Sequence, residues 1–448
     1  MKRVLSIIAV ALMVAVFVSP VSAAEKEWTW LVFLNADNNL DEFGVTDQNE
    51  MAKIGSNDYL NIVSLIDREK GPATLNYIEK DNIVPVADMG EVDMGDYKFL
   101  TQWVKDMTVK YPAKHYALII WNHGSGWKNN QNQIIKGISY DDSTGNHITT
   151  EQLGLAMAEI KAHLGRNLDI LSNDACLMQM MEVAYAVKDS CDFFVASEET
   201  EPGDGYPYDG ILATLKPGMT AAEFVKPWVA AYSASYNGGT QGNSASTQSA
   251  IDLSKLNEVK DAIDGFAKAV IAGKYGTQFK DALTKVQKFY YRTNIDLMHL
   301  VQILKPVIKD EGFQTAATKL ETALGNAIAA NGTTGATMRN AKGLAIYFPA
   351  TSYSFDAAYA KLAFAADCQW DEMVADYYKK ITPPQIIADL ENNDVASLRD
   401  YVANSGAQNR EVSRDLITKL NFRVFAEGGM PAATQEVVKT LVNELLQK

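Results

Sequence analysis

Tyr116-Ala117-Leu118-Ile119-Ile120-Trp121, followed by Asn122-His123-Gly124, is the stretch that decides the fold. Six apolar residues in a row are typical of a strand buried on both faces, and the polar pair with glycine indicates where it ends. A second stretch repeats the pattern, since Leu168-Asp169-Ile170-Leu171-Ser172 leads into Asn173-Asp174-Ala175-Cys176. Strands of this kind belong to parallel sheets that are covered by helices on both faces.

The sequence on either side of these stretches alternates between strand and helix patterns. Further strands are predicted at 28–34, 59–66, 75–78 and 193–197, and amphipathic helices at about 96–111, 150–164 and 178–187. Apolar strands that alternate with amphipathic helices indicate an α/β fold. We therefore expect a mostly parallel sheet flanked by helices on both faces.

The later part of the chain is organised differently. Residues 220–331 are mostly helical by pattern, 343–349 predict one more strand, and Pro383-Pro384 marks a boundary. We divide the chain into a leader (1–23), a main region (24–382) and a small helical tail (383–448). Within the main region, the α/β core spans about 28–215, and helical and strand additions span about 216–382.

The first 23 residues have the order of a secretory signal peptide. Lys2 and Arg3 precede the apolar run Val4–Val18, and Val21-Ser22-Ala23 supplies the small residues of a cleavage site after Ala23. The alternative is a membrane anchor, but the run is shorter than the roughly 20 residues that span a bilayer. We expect an exported protein, periplasmic or secreted, with no membrane association after the leader is removed.

The net charge and the cysteine content narrow the possible classes of protein further. Removal of the leader changes the formal charge from −14 to −16, which argues against nucleic acid or an anionic membrane as a partner. The three cysteines are too few for a disulfide-stabilised scaffold. Either Cys191 and Cys368 form a disulfide and Cys176 is free, or all three are free thiols.

His123 and Cys176 follow the two decisive strands and have complementary chemistry. Carboxyl ends of adjacent parallel strands meet at one edge, which is where α/β proteins bind ligands. A thiol attacks an amide carbonyl once its proton is removed, and a histidine of near-neutral pKa serves as the acid and base. Taken singly, the histidine would be structural and the cysteine a buried thiol.

The residues next to this pair fit the same reaction. The N–H of Gly124, with that of Cys176, is placed to stabilise a developing oxyanion, because glycine lets the backbone approach a substrate closely. A helix beginning directly after Cys176 would point its positive end at the thiol and lower the thiol pKa.

The joint pattern of strand, His-Gly, strand and Ala-Cys resembles the signature of the caspase-like cysteine peptidases, and more narrowly the clostripain family. The resemblance covers about Trp28 to Lys380. Its further stretches are Phe33–Leu40, Trp121–Trp127, Ser197-Glu198-Glu199, Pro202–Tyr206, Ser249–Leu253 and Gly343–Pro349 with Trp370. It implies a cysteine endopeptidase that cleaves protein or peptide substrates after arginine, and less readily after lysine, through a thioacyl-enzyme intermediate.

The resemblance also implies an acid in the pocket for the residue before the cut. Asp174 is the first candidate, and its alternative is a cap on the following helix. Asp204, in a glycine-flanked loop, is the second candidate, and its alternative is an ordinary turn residue. Either carboxylate would form charge-assisted hydrogen bonds with a guanidinium.

Two further properties vary among family members. Many are zymogens that cut themselves between the histidine and cysteine strands. Here Lys136 is the candidate site, and its alternative is an ordinary surface lysine. Such a cut would leave a monomer of two associated chains. Some relatives depend on calcium; Asp37, Asp41, Asp141 and Asp142 offer oxygen ligands but no EF-hand spacing, so no metal ligand is assigned and no cofactor is expected to be required.

Two other functions compete with the peptidase of broad basic specificity. One is a protease of this fold dedicated to a single substrate. The other is a catalytically idle relative that binds peptides or takes part in a surface assembly. The presence of both His123 and Cys176 favours an active enzyme.

Overall fold

The structure, a computed structural model, describes residues 25–127, 137–349, 356–379, 390, 395–404 and 432–447. Its strands are β1 (Lys26–Ala36), β2 (Leu60–Arg68), β3 (Ala73–Glu79), β4 (Asn82–Gly90), β5 (Ala113–Trp121), β6 (Ile138–Asp141), β7 (Asn146–Ile148), β8 (Leu168–Asp174), β9 (Cys191–Ala196), β10 (Asn237–Gly239), β11 (Gly242–Asn243), β12 (Ser246–Asp252), β13 (Asn294–Asp296), β14 (Ile328–Thr334) and β15 (Ala345–Tyr347).

The α-helices of the described residues follow the same chain order. They are α1 (Asp41–Ile54), α2 (Tyr97–Lys110), α3 (Thr150–Leu164), α4 (Met181–Val187), α5 (Tyr208–Leu212), α6 (Ala221–Ser235), α7 (Leu256–Gly273), α8 (Gly276–Lys285), α9 (Leu297–Leu304), α10 (Glu311–Ala327), α11 (Ala363–Asp367), α12 (Trp370–Lys379), α13 (Ala396–Asn404) and α14 (Ala432–Gln447). Short 3-10 turns lie at Leu253–Lys255, Ala336–Met338 and Ala357–Lys361.

A nine-stranded sheet forms the centre of the molecule, in the order β14-β12-β9-β8-β5-β1-β2-β3-β4. The five central strands from β9 to β2 are mutually parallel. Antiparallel pairs extend the sheet at both edges, with β3 and β4 on one side and β12 and β14 on the other. The predicted α/β fold is confirmed.

Both faces of the sheet are buried, as the continuous apolar runs predict. Along β1, Leu31 and Phe33 pack into the core beneath α2, α3 and α4, whereas Trp30 and Val32 pack into the core beneath α1, α5 and α6. Full burial of one such side chain is worth about 2 kcal/mol. These two layers hold β1, β5 and β8 rigidly and so fix where each strand ends.

Helix α3 shows how closely local sequence sets the boundaries of an element. The Thr149 side chain accepts a hydrogen bond from the Gln152 N–H, and the Gln152 side chain accepts from the Thr149 N–H. Gly165, in the left-handed region with φ of 69°, ends the helix. The helix predicted over 150–164 is confirmed residue for residue, and it connects the two strands that carry His123 and Cys176.

Residues 220–331 are mostly helical, as predicted, but two strands of the central sheet that the pattern did not predict also begin there. Ser246–Asp252 and Ile328–Thr334 form β12 and β14, which pair with each other, and β12 also pairs with β9. Both strands consist largely of serine, alanine, asparagine, glycine and threonine, so neither has the apolar run or the alternation that indicates a strand. Pairing with the existing sheet stabilises them instead.

The remaining described features concern the cysteines and the tail. Cys176, Cys191 and Cys368 are all free thiols, so the second of the two cysteine alternatives holds in this structure. In the tail, α13 and α14 share a small apolar cluster that includes Leu398, Val438 and Leu441. Among the described residues, no helix is long and apolar enough to cross a membrane.

Candidate active site

His123 and Cys176 lie at the carboxyl ends of two adjacent parallel strands. β5 and β8 are in register up to Trp121, which lies opposite Asp174, and the Asn122 N–H donates to the Asp174 carbonyl at 3.2 Å. His123 and Cys176 each follow this last pair by two positions. The structure therefore brings to one edge two residues that the sequence separates by a complete helical crossover.

The segment after His123 packs directly on the segment around Cys176. A methyl group at Gly124 would overlap the carbonyl oxygen of Cys176 and lie 3.0 Å from the Ala175 Cβ. Gly126 has φ of 68°, and a Cβ there would lie 2.5 Å from the Met180 Sδ. Backbone contact this close requires glycine, which explains the spacing of the two glycines after the histidine.

The His123 imidazole is half-buried and hydrogen bonds to Asn39. Its Nε2 lies 2.7 Å from the Asn39 Oδ1, which can only accept, so the imidazole proton sits on Nε2. Nδ1 is then the unprotonated nitrogen. Burial lowers the pKa of His123, and the nearby Asp142 carboxylate opposes that shift. The imidazole is therefore neutral at physiological pH and can act as a base.

Two asparagine side chains join the strand ends that hold Asn39 and His123. The Asn122 Nδ2 donates to the carbonyl oxygens of Asn35 at 2.7 Å and Tyr140 at 2.9 Å. The Asn38 Nδ2 donates to the same two carbonyl oxygens, at 3.2 and 3.3 Å. These bonds connect the end of β1, the histidine segment and β6 into one rigid unit.

The Cys176 thiol is partly buried beneath the segment that follows β9. The Glu201 N–H donates to its Sγ at 3.3 Å. Burial raises the pKa of Cys176, the Glu201 N–H lowers it, and the negative charges of Glu199 and Asp174 raise it further. The resting pair is therefore a neutral thiol with a neutral imidazole, and the thiolate forms only as its proton is transferred.

The expected lowering of the thiol pKa by a following helix is wrong. Helix α4 begins at Met181, five residues beyond Cys176, and has only seven residues. The intervening backbone instead turns at Leu177, which has φ of 66°, and its N–H donates to the Glu199 carbonyl at 3.1 Å. A branched side chain in the left-handed region is strained, and here this turn directs the chain away from the thiol.

Two backbone N–H groups belong to the segments that pack on each other here. Within the described residues, the Gly124 N–H donates to no backbone carbonyl, and the Cys176 N–H lowers the pKa of its own thiol. The close packing of Gly124 on Cys176 keeps both groups in the same small region. Such a pair of donors can stabilise an oxyanion that forms on a carbonyl under attack by the thiol.

Asp174 is buried two residues before Cys176. Its Oδ2 accepts from the Tyr208 hydroxyl at 2.8 Å and from the Tyr206 N–H at 3.3 Å, and its carboxyl group lies against that of Glu201. Burial raises the pKa of Asp174 to about 6. None of these partners belongs to α4, so the alternative of a helix cap does not hold.

Asp204 is exposed at the tip of the loop between β9 and α5. Its carbonyl oxygen accepts from the Gln241 side chain at 2.7 Å. Gly205, with φ of 54°, lies directly against Asp174, because a Cβ there would be 3.1 Å from the Asp174 Oδ1. The backbone of this loop therefore borders the Asp174 carboxylate, while the Asp204 side chain lies farther out.

Three of the four acids considered for calcium have side-chain partners within the described residues. Asp41 forms a bidentate ion pair with Arg68, with both distances 2.7 Å. The Ser143 N–H donates to Asp37, and the Met94 and Thr144 N–H groups donate to Asp141. In the part of the chain that the structure describes, no group of three or more histidine, cysteine or acidic side chains is arranged to hold a metal ion.

Asp67, at the end of β2, differs from these acids. It is completely buried, and neither carboxylate oxygen has a hydrogen-bond partner among the described residues. Burial raises its pKa to about 7, and the negative charges of Glu91, Asp141 and Asp37 raise it in addition. The carboxyl group is therefore half protonated near neutral pH, which makes it a source of pH-dependent stability.

Lys136 lies outside the described residues, within 128–136, between Trp127 and the start of β6. Three other site residues were missed as such by the sequence interpretation: Asn39, Glu201 and Tyr208. Asn39 falls within the Phe33–Leu40 stretch of the resemblance, whereas Glu201 lies just before the Pro202–Tyr206 stretch and Tyr208 just after it. No local signal distinguishes their side chains, because their contacts with His123, Cys176 and Asp174 arise from the sheet topology.

A parallel sheet that presents His-Gly and Ala-Cys on adjacent strand ends is the arrangement of the caspase-like cysteine peptidases. The model of the clostripain family matches residues 32–379, which is most of the chain. The protein therefore belongs to the clostripain family of cysteine peptidases.

A curated relative is clostripain from Hathewaya histolytica, 31% identical over 224 residues. The alignment covers 42% of this chain and 42% of clostripain, so it spans less than half of either protein.

Solved structures of bacterial proteases share the fold. A secreted C11 cysteine protease from Bacteroides thetaiotaomicron, in complex with an irreversible peptide inhibitor, has a TM-score of 0.61 at 21% identity, covering 77% of this chain and 99% of that one. An inactive zymogen C11 protease from Parabacteroides distasonis has a TM-score of 0.56 at 19% identity, covering 77% and 98%. Because these sequence identities are low, the structural similarity establishes the fold alone.

Proposed function

We propose that the protein is an exported cysteine endopeptidase that hydrolyses peptide bonds after basic residues, arginine in particular. The observation that carries the proposal is the register of β5 and β8. Because Trp121 lies opposite Asp174, the same strand ends hold the base His123, the nucleophile Cys176 and a buried acid. Membership of the clostripain family supports the reaction class.

The geometry supports an acylation step in which proton transfer accompanies attack. The Nδ1 of His123 takes the thiol proton as the Cys176 Sγ bonds to the substrate carbonyl carbon. The oxyanion receives hydrogen bonds from the N–H groups of Gly124 and Cys176. The imidazolium then protonates the leaving amine, which gives a thioester and a neutral histidine.

Hydrolysis of the thioester reverses these roles. His123 removes a proton from a water molecule that attacks the thioester carbonyl, and it returns that proton to the departing sulfur. Asn39 keeps the imidazole in one tautomer throughout, since its Oδ1 holds the Nε2 hydrogen. No step requires a resident metal, because the thiol and the imidazole supply the nucleophile and the proton transfer.

Asp174 is proposed as the specificity residue of the pocket for the P1 side chain, the residue before the cut. It lies at the end of the same strand as the nucleophile, and Tyr208 and the Tyr206 N–H fix its carboxylate. A buried carboxylate pairs strongly with a guanidinium through two charge-assisted hydrogen bonds. Asp204 is proposed as an outer, solvent-exposed acid that attracts the same cation as it approaches.

A panel of peptides with Arg, Lys, Asp or Asn at P1 tests the proposal. The wild type is expected to cleave after Arg and Lys only, and Cys176→Ala to cleave none. Asp174→Asn should lose at least 100-fold in kcat/KM for the basic substrates while remaining folded. Thiol-dependent cleavage that persists in Asp174→Asn contradicts the pocket assignment. If the wild type cleaves none, with or without added calcium, the idle peptide-binding alternative is favoured.

We further propose that the chain cuts itself after Lys136 and remains a monomer of two associated chains. Lys136 is a basic residue in a polar segment between the histidine and cysteine strands. Purified wild type should split near Lys136, whereas Cys176→Ala should remain intact. Lys136→Gln should block the cut and Lys128→Gln should not. Identical behaviour of wild type and Cys176→Ala contradicts self-processing.

A further inference from the structure

Glu201 contacts both the nucleophile and Asp174. Its N–H donates to the Cys176 Sγ at 3.3 Å, and its carboxyl group lies against that of Asp174. Both of its carboxyl oxygens are enclosed by protein and, within the described residues, have no hydrogen-bond partner. Two buried carboxyl groups in such contact share a proton, because two carboxylates would repel each other.

The surroundings of the pair contain acids and phenols. The titratable groups that act on it are Asp47 and Glu50 of α1, Cys176, Asp204, Tyr206, Tyr208, Tyr232 and Tyr236. The Trp121 Nε1 donates to Asp47 at 2.6 Å. Among the described residues, no lysine or arginine forms an ion pair with Asp47, Asp174 or Glu201. A cation that enters this region therefore meets three acids, Asp47, Asp174 and Glu201, that no basic side chain of the described residues neutralises.

We propose that Glu201 is a second acid of the P1 pocket, which shares one proton with Asp174 in the free enzyme and releases it when a guanidinium binds. The inference rests on the proposed function, since it takes Asp174 as part of the P1 pocket. It assigns a specificity role to Glu201 and makes substrate binding a proton-releasing step.

The contact geometry explains why this pocket prefers arginine to lysine. A guanidinium carries five N–H donors in a planar fork, so it can bind two carboxylates at once. A lysine ammonium is a compact point charge that Asp174 alone can neutralise. Loss of Glu201 should therefore lower kcat/KM for arginine substrates by a larger factor than for lysine substrates.

Binding of a guanidinium should release a proton from the pair of acids and not take one up. Burial and the Asp174 charge raise the pKa of Glu201, so the pair holds one proton at neutral pH. A bound guanidinium stabilises the carboxylate form of both acids, and the proton leaves to solvent. Affinity for arginine substrates should therefore increase as pH rises, because a lower proton concentration favours the released state.

Substrate discrimination gives the first test. Glu201→Gln should lower the ratio of kcat/KM for Arg to that for Lys by about 10- to 100-fold, the loss expected for one charged hydrogen bond. Glu201→Asp, which keeps the acid, should retain more of that ratio. The KM for Arg should fall between pH 6 and 9 in the wild type and stay nearly constant in Glu201→Gln.

Proton release gives the second test and needs no turnover. Calorimetric titration of Cys176→Ala with a short peptide ending in arginine amide, in buffers of different ionisation enthalpy, should show release of up to one proton at pH 7. Cys176→Ala combined with Glu201→Gln should show almost none. This readout separates proton coupling from a purely structural role of Glu201 in its loop.

The possible results separate failure of the proposed peptidase function from failure of the role proposed for Glu201. If the wild type cleaves neither Arg nor Lys peptides, the proposed function fails. If the wild type cleaves Arg peptides but Glu201→Gln keeps the same Arg/Lys ratio and pH dependence, only the role of Glu201 is overturned. Should Glu201→Gln fail to fold, proton release by Cys176→Ala decides, and its absence overturns the inference.

Discussion

The Nε2 of His123 lies 2.7 Å from the Oδ1 of Asn39, so the proton of the neutral imidazole is held on Nε2 and Nδ1 is the basic nitrogen. Asn39 extends from the end of β1, which is the strand next to β5 in the sheet. The base is thus oriented by a neighbouring strand end, and a neutral amide does so without adding charge that would raise the histidine pKa.

Asn39→Ala should lower kcat by about 10- to 100-fold, because the imidazole loses the bond that fixes its tautomer and orientation. Steady-state kinetics on an arginine peptide measures the effect. Asn39→Asp is the informative companion, since a carboxylate there should raise the histidine pKa and move the acid limb of the rate profile to higher pH. An unchanged kcat in both variants would show that Asn39 does not orient the base.

Alkylation of Cys176 by iodoacetamide should be slow at pH 6 and accelerate only above the ordinary thiol pKa. Burial raises the thiol pKa and lowers that of His123, so the free enzyme holds a neutral pair and not a thiolate–imidazolium pair. The rate is followed by mass spectrometry, with Cys176→Ala reporting the background from the buried Cys191 and Cys368. A plateau of fast alkylation below pH 7 would contradict the neutral pair.

Gly124→Ala should abolish activity, with a loss of at least 100-fold in kcat/KM. The added methyl group overlaps the Cys176 carbonyl oxygen, so the histidine and cysteine segments must move apart. Gly265→Ala is the matched control, because a Cβ at that helical position meets open space. Retention of wild-type activity by Gly124→Ala would show that the two segments do not need this backbone contact.

Asp67→Asn should stabilise the protein by about 4 kcal/mol near pH 8 and hardly at all near pH 4. The folded-state pKa of Asp67, about 7, lies above the unfolded value, so the folded protein binds the proton more tightly and loses stability as pH rises from about 4 to 7. The substitution removes that loss. Thermal unfolding across this pH range measures it, with the exposed Asp58→Asn as control; equal shifts at both pH values would refute it.

The sequence was sufficient for those parts of the fold that local pattern determines. Apolar runs located β5 and β8, and the amphipathic pattern located α3. β12 and β14 were missed because Ser246–Asp252 and Ile328–Thr334 are weakly apolar and depend on pairing with the existing sheet. A strand that is stabilised mainly by pairing with a neighbouring strand shows no pattern in its own sequence that would predict it.

The candidate site likewise contains residues that the local sequence indicates and residues that it does not. His123, Gly124 and Cys176 were recognisable because each follows a strand directly. Glu201 lies 25 residues beyond Cys176, and the turn at Leu177 with the loop after β9 brings its N–H to the thiol. The helix expected to activate Cys176 begins at Met181 because the chain first turns at Leu177. Such contacts depend on loop geometry, which spacing along the chain does not specify.

The strand order also determines how a molecule cut within residues 128–136 would unfold and refold. Residues 128–136 separate β1, β2 and β5 from β8 and β9, yet β5 and β8 are neighbours in one sheet. A break in that segment would leave two fragments held by the sheet and its two apolar cores. Refolding of a cut molecule would then require two chains to meet, so it would become bimolecular and dependent on concentration. The intact chain would refold alone, whereas the cut form would persist mainly because it unfolds slowly.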